Sequence, residues 1–267
     1  MRFTPDEPAH HLIFKSRQLN QRMVSKQASP YHVVAAVFIL LLLLYTGYDK
    51  ATKSLQPEKL VSVLSFQDAG HTLKELNKVF ALEAIGLISI VFLLGPLSKI
   101  WPDKFRRFLY MRKTLGLTGF ALAALHGIYS FATFYDLSLE NAFFQNPKMW
   151  GIITAVLSLL IFLLMSLTSS KEAVVRLGYG RWKALQTFGY VGLLLALLHF
   201  FLLETKPDIG LDVRPFGLLF FYLPLAALAL RTLIIFIKVP SRRSYEEHIG
   251  ERPPSRAGKP PFAGRKG

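Results

Sequence analysis

The sequence predicts an all-α fold, a polytopic membrane protein built as a bundle of six transmembrane helices. Three observations predict it. Apolar residues make up 52% of the 267-residue chain and gather into long uninterrupted runs. Those runs are nearly free of charge, although the chain as a whole carries a formal net charge of +15. The loops between them alternate between strongly basic and nearly neutral. A soluble domain of this length could bury a good core, but it would not collect its apolar residues in this way.

A helix needs roughly 20 mostly apolar residues to cross a hydrocarbon core about 30 Å thick. The stretches 31–48, 79–97, 115–135, 149–167, 185–203 and 216–237 meet that requirement. Helix is the expected state for each, because lipid offers no partner to an open backbone group. Some thirty polar residues precede the first stretch, and no small-residue cleavage site follows it, which argues against a removed signal. Residues 1–30 form a basic prelude. Leu12, Ile13, Leu19 and Met23 alternate there with Lys15, Arg17, Arg22 and Lys26, a pattern that fits a helix lying on the inner leaflet or a basic tail. Residues 49–78 are the one sizeable outer loop, with a short surface helix expected over 68–78. Residues 31–238 form a single membrane domain. The tail over 239–267 is rich in Pro, Gly, Arg and Lys and is expected to be disordered.

The distribution of charge sets the orientation. Residues 1–30, 99–114, 169–184 and 238–267 hold 23 Lys and Arg against 7 acidic residues. The intervening segments 48–78, 136–148 and 204–215 hold 8 against 9. The positive-inside rule then places both termini in the cytoplasm and the chain in the inner (plasma) membrane. The basic balance faces anionic lipid, so membrane lipid is the partner it implies and nucleic acid is not. There is no cysteine, which excludes disulfides, iron–sulfur clusters, thiolate zinc sites and covalently attached haem. Any metal or haem must use other ligands.

One internal repeat stands out. Gly116, Gly119, Ala123 and His126 follow the pattern G-x2-G-x3-A-x2-H, and Gly189, Gly192, Ala196 and His199 repeat it 73 residues later. The spacing puts each set on one helix face. Small residues let helices approach, so packing is the plainer reading. It does not explain an imidazole at the same place on both faces. A flat macrocycle does, since it needs a shallow surface on each side and an axial nitrogen near its centre. Both helices run outward. His126 lies roughly 20 Å of helical rise beyond Lys113, and His199 roughly 24 Å beyond Lys183, so the rings sit at similar heights in the outer half of the bilayer. Packing histidines, another metal and a proton relay are the competing readings. A bare metal would want more polar ligands than these helices offer.

Several pieces between Gly95 and Glu204 occur in a characteristic order. They are Gly95-Pro96-Leu97, Arg112-Lys113-Thr114-Leu115-Gly116-Leu117, the Ala-Ala-Leu before His126, the run from Leu177 through Trp182 to Leu185, and the Leu-Leu before His199. In this the chain resembles the ferric reductase-like transmembrane family. That family includes ferric reductases, NADPH oxidases and the haem-binding membrane subunit of a bacterial periplasmic methionine sulfoxide reductase system. The resemblance implies an electron conduit carrying b-type haem between the third and fifth helices. It gives His126 and His199 the outer-haem ligand positions, which puts Gly119, Ala123, Gly192 and Ala196, on the same helix faces, among the haem-binding residues. Family members often hold a second, inner haem, whose ligands would fall 13 or 14 residues earlier. Here those positions hold Arg112 or Lys113 and Gln186, which are poor iron ligands. One haem is therefore expected. A flavin or quinone on the cytoplasmic side could supply electrons, with Arg112, Lys113, Arg181 and Lys183 meeting its polar or phosphate groups. Positive-inside anchoring is the plainer account of those cations.

The implied role is a membrane oxidoreductase component that takes electrons from quinol or a flavoprotein and passes them to a periplasmic acceptor. A haem-free structural or transport protein that kept the fold is the alternative. Of the remaining polar residues, Glu83 is expected to snorkel to the outer interface, and Arg231 to the inner one or to a haem propionate. Tyr129 and Ser130 are candidates to line the pocket. His32 lies at the cytoplasmic edge of the first span, His71 in the outer loop, and His10, His11 and His248 in polar segments.

Overall fold

In the computed structural model the described residues are 30–49, 52–66, 68–206 and 210–237. All of the basic prelude but Pro30, the whole tail over 239–267, His10, His11 and His248 lie outside them. The chain begins with α1 (Pro30–Leu41), which continues as a π-turn over Leu42–Thr46. An antiparallel pair, β1 (Tyr48–Asp49) and β2 (Ser54–Leu55), leads to α2 (Pro57–Leu64). Next come α3 (Ala69–Ile100), the single turn α4 (Pro102–Phe105) with a 3-10 turn over Arg106–Met111, and α5 (Arg112–Tyr135). They are followed by α6 (Met149–Leu167), α7 (Lys171–Leu177) and α8 (Tyr179–Glu204). A second hairpin of two-residue strands, β3 (Thr205–Lys206) and β4 (Gly210–Leu211), precedes α9 (Pro215–Ile237).

The protein is an all-α polytopic membrane protein. Among the described residues, five helices are long and apolar enough to cross a bilayer, namely α3, α5 with its lead-in from Pro102, α6, α8 and α9. The first expected span is a shorter apolar helix, Val34–Thr46. Large apolar side chains such as Leu125, Ile128, Leu160, Leu164, Leu194 and Leu225 lie exposed on the outside of the bundle, where a lipid solvent would cover them.

The axis of the bundle is α3. Val79, Leu82, Ala84, Leu87, Ile88, Val91 and Phe92 are buried on all its sides, as expected of a helix that is apolar all round. It starts ten residues before the expected span, absorbing the surface helix expected over 68–78. Nothing between Ala69 and Val79 breaks a helix, and the Asp68 side chain caps it by accepting from the His71 N–H at 3.1 Å. The main packing pairs are α3 with α5 and α6 with α8, and α9 lies across α3 and α8. Ile88, Phe92, Phe162, Leu193 and Ala227 close one core shared by α3, α6, α8 and α9.

Polar ties fix the end of the bundle where α3 and α9 begin. Arg214 donates to Glu75 Oε2 at 2.7 Å and to the Tyr45 carbonyl at 2.5 Å, and its guanidinium lies 4.4 Å from the Tyr45 ring centre. One side chain thus joins the start of α9 to α3 and to the end of the first helix.

Candidate functional site

The structure brings His126 of α5 and His199 of α8 together, with ring centres 6.5 Å apart and ring planes inclined at 66°. Each ring is held by its Nδ1. His126 Nδ1 donates to Asn77, whose backbone oxygen lies at 3.1 Å and whose side-chain oxygen lies at 3.0 Å. His199 Nδ1 donates to the Gly151 carbonyl at 2.8 Å. A carbonyl oxygen can only accept, so the proton sits on Nδ1 in both rings and the Nε2 lone pairs are left bare. The assignment at Asn77 is consistent, because its Nδ2 donates to Ser130 Oγ at 2.9 Å and so turns its oxygen toward the ring. Holding Nδ1–H on a carbonyl is how proteins orient a metal-binding imidazole and raise its basicity.

Local sequence explains why the rings meet. The glycines of the repeat do not face each other across a slot. A Cβ on Gly119 would lie 2.9 Å from Ile88 and 3.2 Å from the Ala84 carbonyl, so this glycine seats α5 on α3. A Cβ on Gly192 would lie 3.0 Å from Ile161, and one on Gly189 would lie 2.6 Å from Phe92, so these seat α8 on α6 and α3. Ser158 Oγ adds a bond to the Gly192 carbonyl at 2.9 Å. Ala196 packs into the cores beside it, and Ala123 is partly accessible on α5. The seating brings His126 to Asn77 and His199 to Gly151, and α5 and α8 share almost no backbone contact with each other.

The pair fits an axial bis-imidazole site. Two metal–nitrogen bonds of about 2 Å, plus the roughly 1 Å from each nitrogen to its ring centre, separate the centres by about 6 Å. The described residues contain no group of three or more His, Cys, Asp or Glu. Two imidazoles on facing helices would suit a haem, whose ring supplies the other iron ligands.

The half of the bundle away from the histidines is built differently. A cleft of about 80 Å³ lies between α3, α5, α6 and α8, where Arg112, Lys113, Met165, Ser166, Ser169 and Gln186 are among the lining residues. Gln186 reaches the Met165 carbonyl only at 3.5 Å, and Arg112 Nε is buried without a partner among the described residues. Arg231 lies over the Tyr190 ring at 5.3 Å, and Tyr190 donates to the Phe92 carbonyl at 2.9 Å. Arg181 and Lys183 are exposed on the first turns of α8, as are His32 on α1 and His71 on α3. Tyr129 is partly buried.

Three residues depart from the sequence reading. Glu83 does not snorkel. It is 1% exposed, because the early start of α3 leaves it well inside the helix, and its Oε1 has no hydrogen-bond partner among the described residues. Asn77 and Gly151, which hold the two imidazoles, were not expected. Asn77 fell in the predicted outer loop, where its polarity carried no signal, and Gly151 acts through its backbone alone.

The bundle thus carries a pair of carbonyl-anchored imidazoles on neighbouring helices. Residues 80–197 match the family described as ferric reductase like transmembrane component. That stretch takes in His126 and ends two residues before His199. Over 133 residues the chain is 35% identical to the protein-methionine-sulfoxide reductase heme-binding subunit MsrQ of Deinococcus radiodurans. The alignment covers 49% of this chain and 59% of that relative.

Proposed function

We propose that this chain is a transmembrane electron-transfer protein that binds one b-type haem between α5 and α8, with His126 and His199 holding its iron. In this reading residues 31–238 form one six-span domain in the inner membrane, with both termini in the cytoplasm and the haem in the outer half. The observation that carries it is the pair of imidazoles 6.5 Å apart, each anchored through Nδ1 with Nε2 bare. The similarity to a heme-binding subunit supports it.

When bound, haem supplies a one-electron carrier. The chain's residues do the rest. Asn77 and Gly151 fix the ring tautomers, and the apolar helices exclude water. On the cytoplasmic side the cleft and its cations meet the electron donor, a quinol or a flavin. At about 80 Å³ the cleft is smaller than a pocket that encloses a drug-sized molecule. It therefore suits a donor that touches the membrane edge in passing, with Arg112 and Lys113 meeting its polar or phosphate groups. Electrons leave to an acceptor beyond the outer face.

Absorption spectroscopy of the detergent-purified full chain tests the proposal. A Soret band that shifts on reduction is expected, and it should be lost in His126→Ala and in His199→Ala but kept in Gln186→Ala. A featureless spectrum after haem addition would overturn it and leave the haem-free alternative. Reduction of the bound haem by quinol or by reduced flavin tests the donor separately.

A further inference from the structure

Glu83 has no part in the site described above, yet it is the one acidic residue inside the six predicted spans. It is 1% exposed, makes no ion pair among the described residues, and keeps one oxygen unpartnered. An ionised carboxylate left alone in a low-dielectric interior is costly, so such a group either holds a proton or stands near a positive charge. The charged and titratable groups of the surrounding elements are committed elsewhere. From α5, His126 is bonded to Asn77, while Arg112 lies at the other end of α3 beside Gly95. From α9, Arg214 is on Glu75 and Arg231 on Tyr190; Tyr222 is exposed. From the first helix, Tyr45 lies under Arg214, and Tyr31 and His32 are exposed at the opposite end. Glu58 and Lys59 of α2 are exposed, and His199 of α8 is bonded to Gly151.

A haem held by the two imidazoles would bring a charge that changes with its redox state. Glu83 lies six residues along α3 from Asn77, about 9 Å of helical rise from the residue that holds His126. Iron(III) in a porphyrin dianion with two neutral imidazoles carries a net positive charge, and iron(II) carries none. We infer that Glu83 is the redox-linked proton acceptor of the imidazole site, ionised while the site is oxidised and protonated when it is reduced. This rests on the haem reading above. The balance is one electron to the metal and one proton from water to the Glu83 carboxylate, so the interior keeps a constant charge. Both leave together on reoxidation, which delivers a hydrogen equivalent toward an outer acceptor.

Spectroelectrochemical titration of the haem-loaded full chain across the neutral pH range tests this. The midpoint potential should fall as pH rises, approaching a tenfold change in the reduction equilibrium per pH unit, about 59 mV for one electron. In Glu83→Gln the slope should drop by at least half and the potential at alkaline pH should rise. Glu83→Asp, which keeps a titrating group, should retain the slope. Infrared difference spectra should show a protonated carboxyl appearing on reduction in the parent and not in Glu83→Gln. Equal slopes in parent and Glu83→Gln would overturn the inference while leaving haem binding intact. A parent without a Soret band would remove the haem reading and this inference with it.

Discussion

Asn77 meets His126 through both of its oxygens, the backbone carbonyl at 3.1 Å and the side-chain amide at 3.0 Å. The central helix thus sets the tautomer of a ring carried by its neighbour. Loss of an outer hydrogen-bond partner typically lowers metal affinity 10- to 100-fold. Asn77→Ala leaves the backbone oxygen in place, so the expected loss is at the lower end, about tenfold in haem affinity. Ser130→Ala, which only frees the Asn77 amide nitrogen, should cost less. Titration of apoprotein with haem, followed at the Soret band, measures both.

Gly189 is a packing requirement. A Cβ there would lie 2.3 Å from Met165 Sδ and 2.6 Å from Phe92 Cζ. Met165 can swing away, but Phe92 is enclosed by Phe162 and Tyr190. Gly189→Val should cost about 1–3 kcal/mol through overpacking. A Cβ on Gly180 of the same helix meets nothing, so Gly180→Ala should be neutral or slightly stabilising. Thermal unfolding in detergent compares the two.

Arg214 ties the start of α9 to Glu75 and Tyr45. Arg214→Ala removes hydrogen bonds to a carboxylate and a carbonyl, but Glu75 keeps Lys78 at 2.9 Å. The expected loss is about 2–3 kcal/mol, the scale of hydrogen bonds involving charged groups. Arg214→Lys should recover less than half, since an ammonium lacks the planar fork that serves two acceptors and stacks on Tyr45. Unfolding measurements on the pair decide this.

Orientation can be read directly because the chain has no cysteine. Glu58 on α2 and Glu172 on α7 are both exposed. In intact cells Glu58→Cys should react with a membrane-impermeant maleimide, and Glu172→Cys should react only after permeabilisation. The reverse pattern would invert the topology.

The long helices were legible because hydrophobic length and charge segregation are local properties of the chain. The structure places α6 over 149–167, the expected range, while α5, α8 and α9 begin three, six and one residues before the expected starts. The start of α3 was not legible, since residues 69–78 are polar enough to pass for a loop and become helical by packing and by the Asp68 cap. The histidine pair was visible through its repeat. The partners of the glycines were not, because helical periodicity gives a face and not the neighbour that occupies it. Asn77 was hidden by the mistaken loop boundary, and the same error misplaced Glu83 at the interface.

The two imidazoles belong to different packing pairs, α3 with α5 and α6 with α8, which hardly touch along the seam between α5 and α8. A ligand bonded to both rings would act as a clasp across that seam. The tie would reinforce a joint that the two units otherwise make through α3, where the Tyr190 hydroxyl of α8 reaches the Phe92 carbonyl.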